Sequence, residues 1–300
     1  MCSRPDPIRG NSTATAAYTA DVTNVYNNNT GITLYSSNYI RWYHGPGKPV
    51  SQSRLSIAKN AMAELISSTP GVDFGLAVFN ENSSRNTNTN GGRIVRNILG
   101  SETILGNGKT GEQDLLDKVN ALNADGNTPL CETLQEAYQF FGGMSVVYGT
   151  QGGSLSPARD TSAEKSDGTY KAPYDNCSNN GYVIYITDGE PTSDGSSDNT
   201  VIGLINTLSD NDKRAYGTAV SYGSGSSRGS SYLAALAGYM KHNDVNSAMD
   251  DKQTVTTFTV GFGDEAISGA GNLLAETARR GGGVYYPATN ASALSDALKA

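Results

Sequence analysis

The stretch Tyr182–Pro191 (YVIYITDGEP) constrains this chain most, because an apolar, β-favouring run stops abruptly on a carboxylate followed by Gly and Pro. Such a run reads as a buried strand, and Asp188 then projects from its carboxyl end. In open α/β sheets that edge is where ligands bind. The expected counterpart is Asp125–Leu130 (DGNTPL), where the Thr128 hydroxyl stands just ahead of a helix that Pro129 can open at its first position. Taken together, the two segments point to a site for a hard cation. Mg²⁺ prefers near-octahedral oxygen ligands at about 2.0–2.1 Å and retains waters, so one carboxylate and one hydroxyl suit it. Taken singly, Thr128 also fits an ordinary helix cap and Asp188 an acid in a turn.

The remaining pattern alternates strands with helices. Residues 1–50 are polar and without sustained period; Ile32–Tyr35 and Ile40–Tyr43 are their only strand-like pieces. From Ser53 a helix is expected, with Leu55, Ala58, Met62 and Leu65 on one apolar face, ending before Pro70-Gly71. A strand follows over Val72–Phe79, then a weaker one over Gly92–Leu99. A short helix is expected within 111–122, and another places Leu130, Leu134, Ala137 and Phe141 on one face. After the Asp188 strand come a helix near 198–208, a strand near 214–221, a helix over Tyr232–Lys241 and a strand over Val255–Phe262. A helix over 265–279, a strand at Val284–Tyr286 and a helix from Ala291 close the chain. This order predicts an α/β fold, a doubly wound and mostly parallel sheet with helices on both faces. One domain over 51–300 is expected, preceded by the loop-rich 1–50 segment and carrying insertions near 81–97 and 142–181. Loops that long border functional sites more often than they fill a compact core.

Composition narrows the function. The net charge of −7, with 22 Lys plus Arg against 29 Asp plus Glu, disfavours nucleic-acid and anionic-membrane binding, which need basic patches. No apolar run reaches the roughly 18 residues of a membrane span, and no secretory signal opens the chain. Three cysteines are too few for a disulfide scaffold. A Cys131–Cys177 bridge near one end of the sheet and a pair of packed, reduced thiols are both compatible with the spacing. Gly225–Gly229 (GSSRG) matches the nucleophile-elbow pattern around Ser227, but a hydrolase triad then needs an acid and a His downstream. No acid lies between Ser227 and His242, so a Ser/Gly loop is the better reading. His44 lacks an acid or thiol partner in sequence. The 17 tyrosines, against 6 Phe and 1 Trp, suit an adhesive surface but equally ordinary strands.

The runs Asn127–Tyr138 (NTPLCETLQEAY), Ile186–Thr192 (ITDGEPT), Tyr232–Met240 and Val255–Phe262, in that order and spacing, resemble a von Willebrand factor A domain. More narrowly, they resemble the A domain of the PilY-type type IV pilus tip adhesin and biogenesis family. The likeness covers about 50–300 and takes in Gly281–Tyr286 and the closing helix. It implies a non-enzymatic binding module in pilus biogenesis, attachment or mechanosensing, located at the cell surface or in the periplasm. It further implies an adhesion site holding Mg²⁺, Mn²⁺ or Ca²⁺, whose open position takes a carboxylate or other oxygen from a protein or surface ligand, with pilus components as partners. In the family the site uses an Asp-x-Ser-x-Ser loop after the first strand, a Thr, and an Asp. Thr128 matches the second and Asp188 the third, and Glu190 is a candidate for the outer shell. The first is absent, so the first central strand is expected to be missing and the cation site incomplete. In the family that loop commonly runs on into a Met, so Met1 is expected to mark a start just after it. Residues from 1–50 filling the gap is the alternative. A structural A domain without metal is the second functional reading, and a hydrolase using Ser227 the third.

Overall fold

The structure is a computed structural model that describes residues 52–81, 90–124, 126–150, 156–174, 179–225 and 228–300. The strand-like pieces expected within 1–50, His44, Cys2, Asp125, Cys177, Ser227 and most of the 81–91 connection lie outside the described residues. Backbone contacts separate Met1–Gln52 from Ser53–Ala300. Among the described residues, every helix and strand belongs to the second of these units.

The centre of that unit is a parallel three-stranded sheet. β3 (Asn180–Thr187) pairs with β6 (Thr254–Phe262), and β6 with β7 (Gly282–Ala288). The β3–β6 register runs without interruption from Asn180 opposite Thr254 to Thr187 opposite Gly261. All three strands follow from β-branched and aromatic runs bounded by turn residues. Helices cover both faces, as expected of an α/β fold with a Rossmann-like layering. On one side α3 (Leu130–Phe141), α6 (Leu233–His242) and α7 (Gly271–Arg280) bury Leu130, Leu134, Leu233, Leu236, Leu273 and Leu274 against Tyr185 and Val255. On the other, α1 (Arg54–Ser68) and α8 (Ala291–Lys299) close over Val260, Phe262 and Ala288 with Ala61, Leu294 and Leu298.

The strands β1 (Phe74–Phe79) and β2 (Gly92–Leu99) form a separate antiparallel pair. Among the described residues no ladder joins this pair to β3. The two sheets are bridged by side chains: the Phe79 and Tyr185 rings lie 6.2 Å apart, and α3 packs on β1, β2 and α6. Helix α3 therefore sits close to β2. At Gly92 an added Cβ would lie 2.5 Å from Thr133 Cγ2, so only glycine permits that approach. The short helix α2 (Gly111–Asn120), closed by a capping box between Thr110 and Gln113, packs Leu115 and Val119 against Ile66 of α1.

Three local expectations need correction. The expected 214–221 strand begins in helix: α4 (Asp198–Asn206) is followed by α5 (Asp210–Tyr216), started by the Ser209 hydroxyl accepting from the Asp212 N–H. The strand is delayed to β4 (Val220–Tyr222), which pairs antiparallel with β5 (Gly229–Ser231). The helix expected over 265–279 divides into a π-helical turn, Ala266–Ala270, and α7. In α1, Ala61 and Ile66 are the buried residues, because the helix is wedged between two clusters and buries more than one stripe.

The described residues 142–150 and 156–174 are tied to α3 by one of its buried acids. Glu136 accepts from the Tyr148 N–H at 2.7 Å, the Val147 N–H at 3.3 Å and the Tyr170 hydroxyl. Burial raises its pKa, and these donors work the other way. Replacing Tyr170 by Phe strips one donor from a buried carboxyl, so Tyr170→Phe is expected to cost about 1–3 kcal/mol. Urea unfolding checks this as a lower midpoint at unchanged slope.

Candidate functional site

Strand β3 ends at Thr187, which is buried, and Asp188 emerges with its side chain 57% exposed. Its partner is a cation from the first turn of α1. Arg54 Nη1 stands 3.6 Å from Asp188 Oδ2, donates to the Asp188 carbonyl at 3.3 Å and to Glu265 Oε2 at 2.8 Å. Glu265 lies just beyond the end of β6, so one guanidinium ties α1 to the carboxyl ends of two neighbouring strands. Glu265 is the chief reason that the Arg54 pKa rises, with Asp188 contributing less. The Arg fork suits such a two-acceptor role better than a Lys would.

The Thr128 turn meets the loop after β3 from the other side. The Thr128 N–H donates to Thr192 Oγ1 at 2.8 Å, the Thr192 N–H donates to the Thr128 carbonyl at 3.0 Å, and Asn127 Nδ2 reaches Ser193 Oγ at 3.2 Å. Ser193 takes a left-handed conformation, φ 57°, to make this turn. The Thr128 turn and the loop after Asp188 are thus joined through Thr192. Neither of the two simple roles for Thr128 and Pro129 holds. Pro129 occupies the cap position and has no side-chain acceptor, so Leu130 begins the helix. The missing cap comes from the far loop, where Asp194 Oδ1 accepts the Cys131 N–H at 2.6 Å.

Glu190 points elsewhere. It is half-buried and packs directly on Gly269 in the π-helical turn. Beside it lies a polar recess of about 430 Å³ lined by Ser221, Tyr222, Gly223, Arg228, Gly269 and Asn272. Cys131 carries a free thiol and is fully buried, its pKa pushed well up by burial first and by Asp194 next. Cys177, its expected partner, lies outside the described residues. His242 stacks on Tyr216 with ring centroids 5.0 Å apart, and burial followed by Lys252 and Lys241 lowers its pKa.

Two functional-looking residues escape sequence reasoning. Glu132 and Asp194 are 0% and 8% exposed and link α3 to the loop after β3 from opposite directions. Glu132 Oε1 accepts from the Ser196 N–H at 2.6 Å and the Ser197 N–H at 3.3 Å. Glu132 falls off the apolar stripe of α3 and reads as solvent-facing, and Asp194 sits in a Ser/Gly/Asp turn that reads the same way. Only the burial of α3 on every side makes them internal.

For a hard cation, the Asp188 carboxylate and Thr128 hydroxyl are chemically apt, while Arg54 is the competing positive charge. Among the described residues no group of three His, Cys, Asp or Glu side chains gathers into a metal-holding cluster. Such a cation would rely on hydroxyl and water ligands as well. Compared with models of known families and with curated proteins, the chain matches none.

The burial of Cys131 yields a direct check. Thiol alkylation in the native state is expected to be at least about a hundredfold slower at Cys131 than after unfolding, since the thiol must await an opening event. Mass spectrometry without reductant should then find Cys131 fully labelled in denaturant.

Proposed function

We propose that this chain is a binding module of the von Willebrand factor A type, working through a divalent cation in a type IV pilus-associated surface protein. Its role is in pilus biogenesis or attachment to a surface, at the cell surface or in the periplasm, and it is not an enzyme. The observation that carries the reading is the junction at the carboxyl edge of the sheet, where an exposed Asp188 carboxylate and the Thr128 turn belong to two hydrogen-bonded loops. The family resemblance places its metal-binding Asp and Thr on those two loops. Among the described residues the β1–β2 pair shares no ladder with β3, which supports the expectation of an absent central strand, with which the Asp-x-Ser-x-Ser loop would go.

In this reading Asp188 and Thr128 hold Mg²⁺, Mn²⁺ or Ca²⁺, and the cation supplies a coordination position for a carboxylate or other oxygen of a partner. The chain's own residues do the positioning. The Thr128–Thr192 bonds hold the hydroxyl turn against the Asp188 loop, and Arg54 neutralises Asp188 until a cation displaces it. Protein or surface ligands and pilus components are the partners. Among the described residues no helix is long and apolar enough to cross a membrane.

The Arg54 contact also favours a second reading, a structural A domain in which a guanidinium permanently takes the place of the cation. Calorimetric titration with Mg²⁺ and Mn²⁺ separates the two. The first reading expects saturable binding that is lost in Asp188→Ala and tightened about two- to fivefold in Arg54→Ala, the range set by one partly exposed ion pair. Absence of binding in the wild type and in Arg54→Ala, with a lowered unfolding midpoint in the latter, would establish the structural role instead.

A further inference from the structure

Glu132 and Asp194 each use one carboxyl oxygen on backbone N–H donors and leave the other without any. Glu132 Oε1 serves Ser196 and Ser197, and Asp194 Oδ1 serves Cys131. Glu132 Oε2 and Asp194 Oδ2 are buried and accept no hydrogen bond among the described residues. The two carboxyls are set between the same two segments, each bonded to the backbone of the other's stretch: Asp194 to Cys131, and Glu132 to Ser196 and Ser197. Two ionised carboxyls cannot satisfy each other's second oxygen there, because both are acceptors only.

Among the described residues named as facing the pair, none brings a compensating positive charge. The titratable groups facing the pair are Cys131 of α3, Asp198 in the first turn of α4, Tyr185 of β3, Tyr222 of β4, and Tyr148 in the segment after α3; Glu190 and Glu136 face these same tyrosines. None of these is a base. Ser231 brings a neutral hydroxyl to Asp194, and the Ser197 hydroxyl is buried without a hydrogen-bond partner among the described residues. Like charges that close in a low-dielectric interior drive one of them to keep a proton.

We propose that Glu132 and Asp194 share a single proton, forming a pH-operated latch that fastens the loop after β3 to the start of α3. Burial first, and Glu132 next, push Asp194 up to about 8, and burial raises Glu132 as well. Both acids therefore titrate above their unfolded values. Folding takes up a proton, so stability falls as pH climbs from the ordinary carboxylate range to about 8 and levels off beyond it. Above that pH the pair is either doubly charged and repelled or opened to water. Opening deprives the Cys131, Ser196 and Ser197 N–H groups of their acceptors and loosens the adjoining Thr128–Thr192 bonds. The latch does not depend on cation binding, since neither carboxyl is among the residues assigned to the metal.

The variants Asp194→Asn and Glu132→Gln test this directly. Each carboxamide keeps an acceptor oxygen and brings a permanent N–H where the shared proton sat. Thermal midpoints of the wild type and both variants are to be followed from about pH 6 to about pH 9. The expected result is a midpoint that falls with pH in the wild type and stays flat in the variants over that window. Hydrogen exchange at the Cys131 and Ser196 amides should accelerate by at least about tenfold beyond the intrinsic base-catalysed rise, in the wild type alone. If a variant does not fold, infrared spectra of the wild type at neutral pH decide. A protonated-carboxyl band that disappears above about pH 8 upholds the shared proton. Absence of that band, or an equal pH slope in wild type and variants, overturns it.

Discussion

A helix that starts inside the protein, behind a proline, needs an acceptor from elsewhere, and this need governs the arrangement at the sheet edge. The first N–H groups of any helix lack partners within it. Water cannot serve them where α3 begins, since Leu130, Cys131 and Glu132 are all 0% exposed. Pro129 brings no side-chain acceptor of its own. Asp194 therefore reaches across from the loop after β3, and that reach sets the path of residues 189–197. Thr192 is carried into register with Thr128, and Glu132 is drawn into contact with the carboxyl that caps its own helix.

The sheet edge is held from its other side by α1. Packing of α1 and α8 on Val260, Phe262 and Ala288 brings Arg54 to the carboxyl ends of β3 and β6. Those ends carry acids, Asp188 and Glu265, because strands of a parallel sheet all finish at one edge. A guanidinium between two partly exposed carboxylates contributes little to stability by itself. Its weight lies in placement, since it is the positive charge that any cation arriving at Asp188 has to replace.

Two physical classes of acid stand out in this unit. Glu276, partly exposed beside Arg279 and Arg280, is held down to about 2, whereas Asp194 and Glu132 are raised because burial outweighs their few hydrogen bonds. The first class loses stability only in strong acid. The second responds nearer neutral pH, and it sits at the junction of the two loops proposed to face a ligand.

Much of the architecture was legible in the sequence. The apolar run ending at Asp188, the apolar α6, and β6 with its β-branched residues all lie where local pattern put them, since a buried strand or helix writes its apolar residues into the chain. The placement of Asp188 at the carboxyl edge follows from the same pattern. Tertiary structure alone decided the rest. Arg54 and Glu265 are 211 residues apart, and Glu132 and Ser196 are 64 apart, so no window of sequence contains either contact. Glu132 and Asp194 look like ordinary surface acids along the chain. They become internal only because α3 is enclosed on every side by β1, β2, α6 and the loop after β3, a property of packing that local periodicity cannot record.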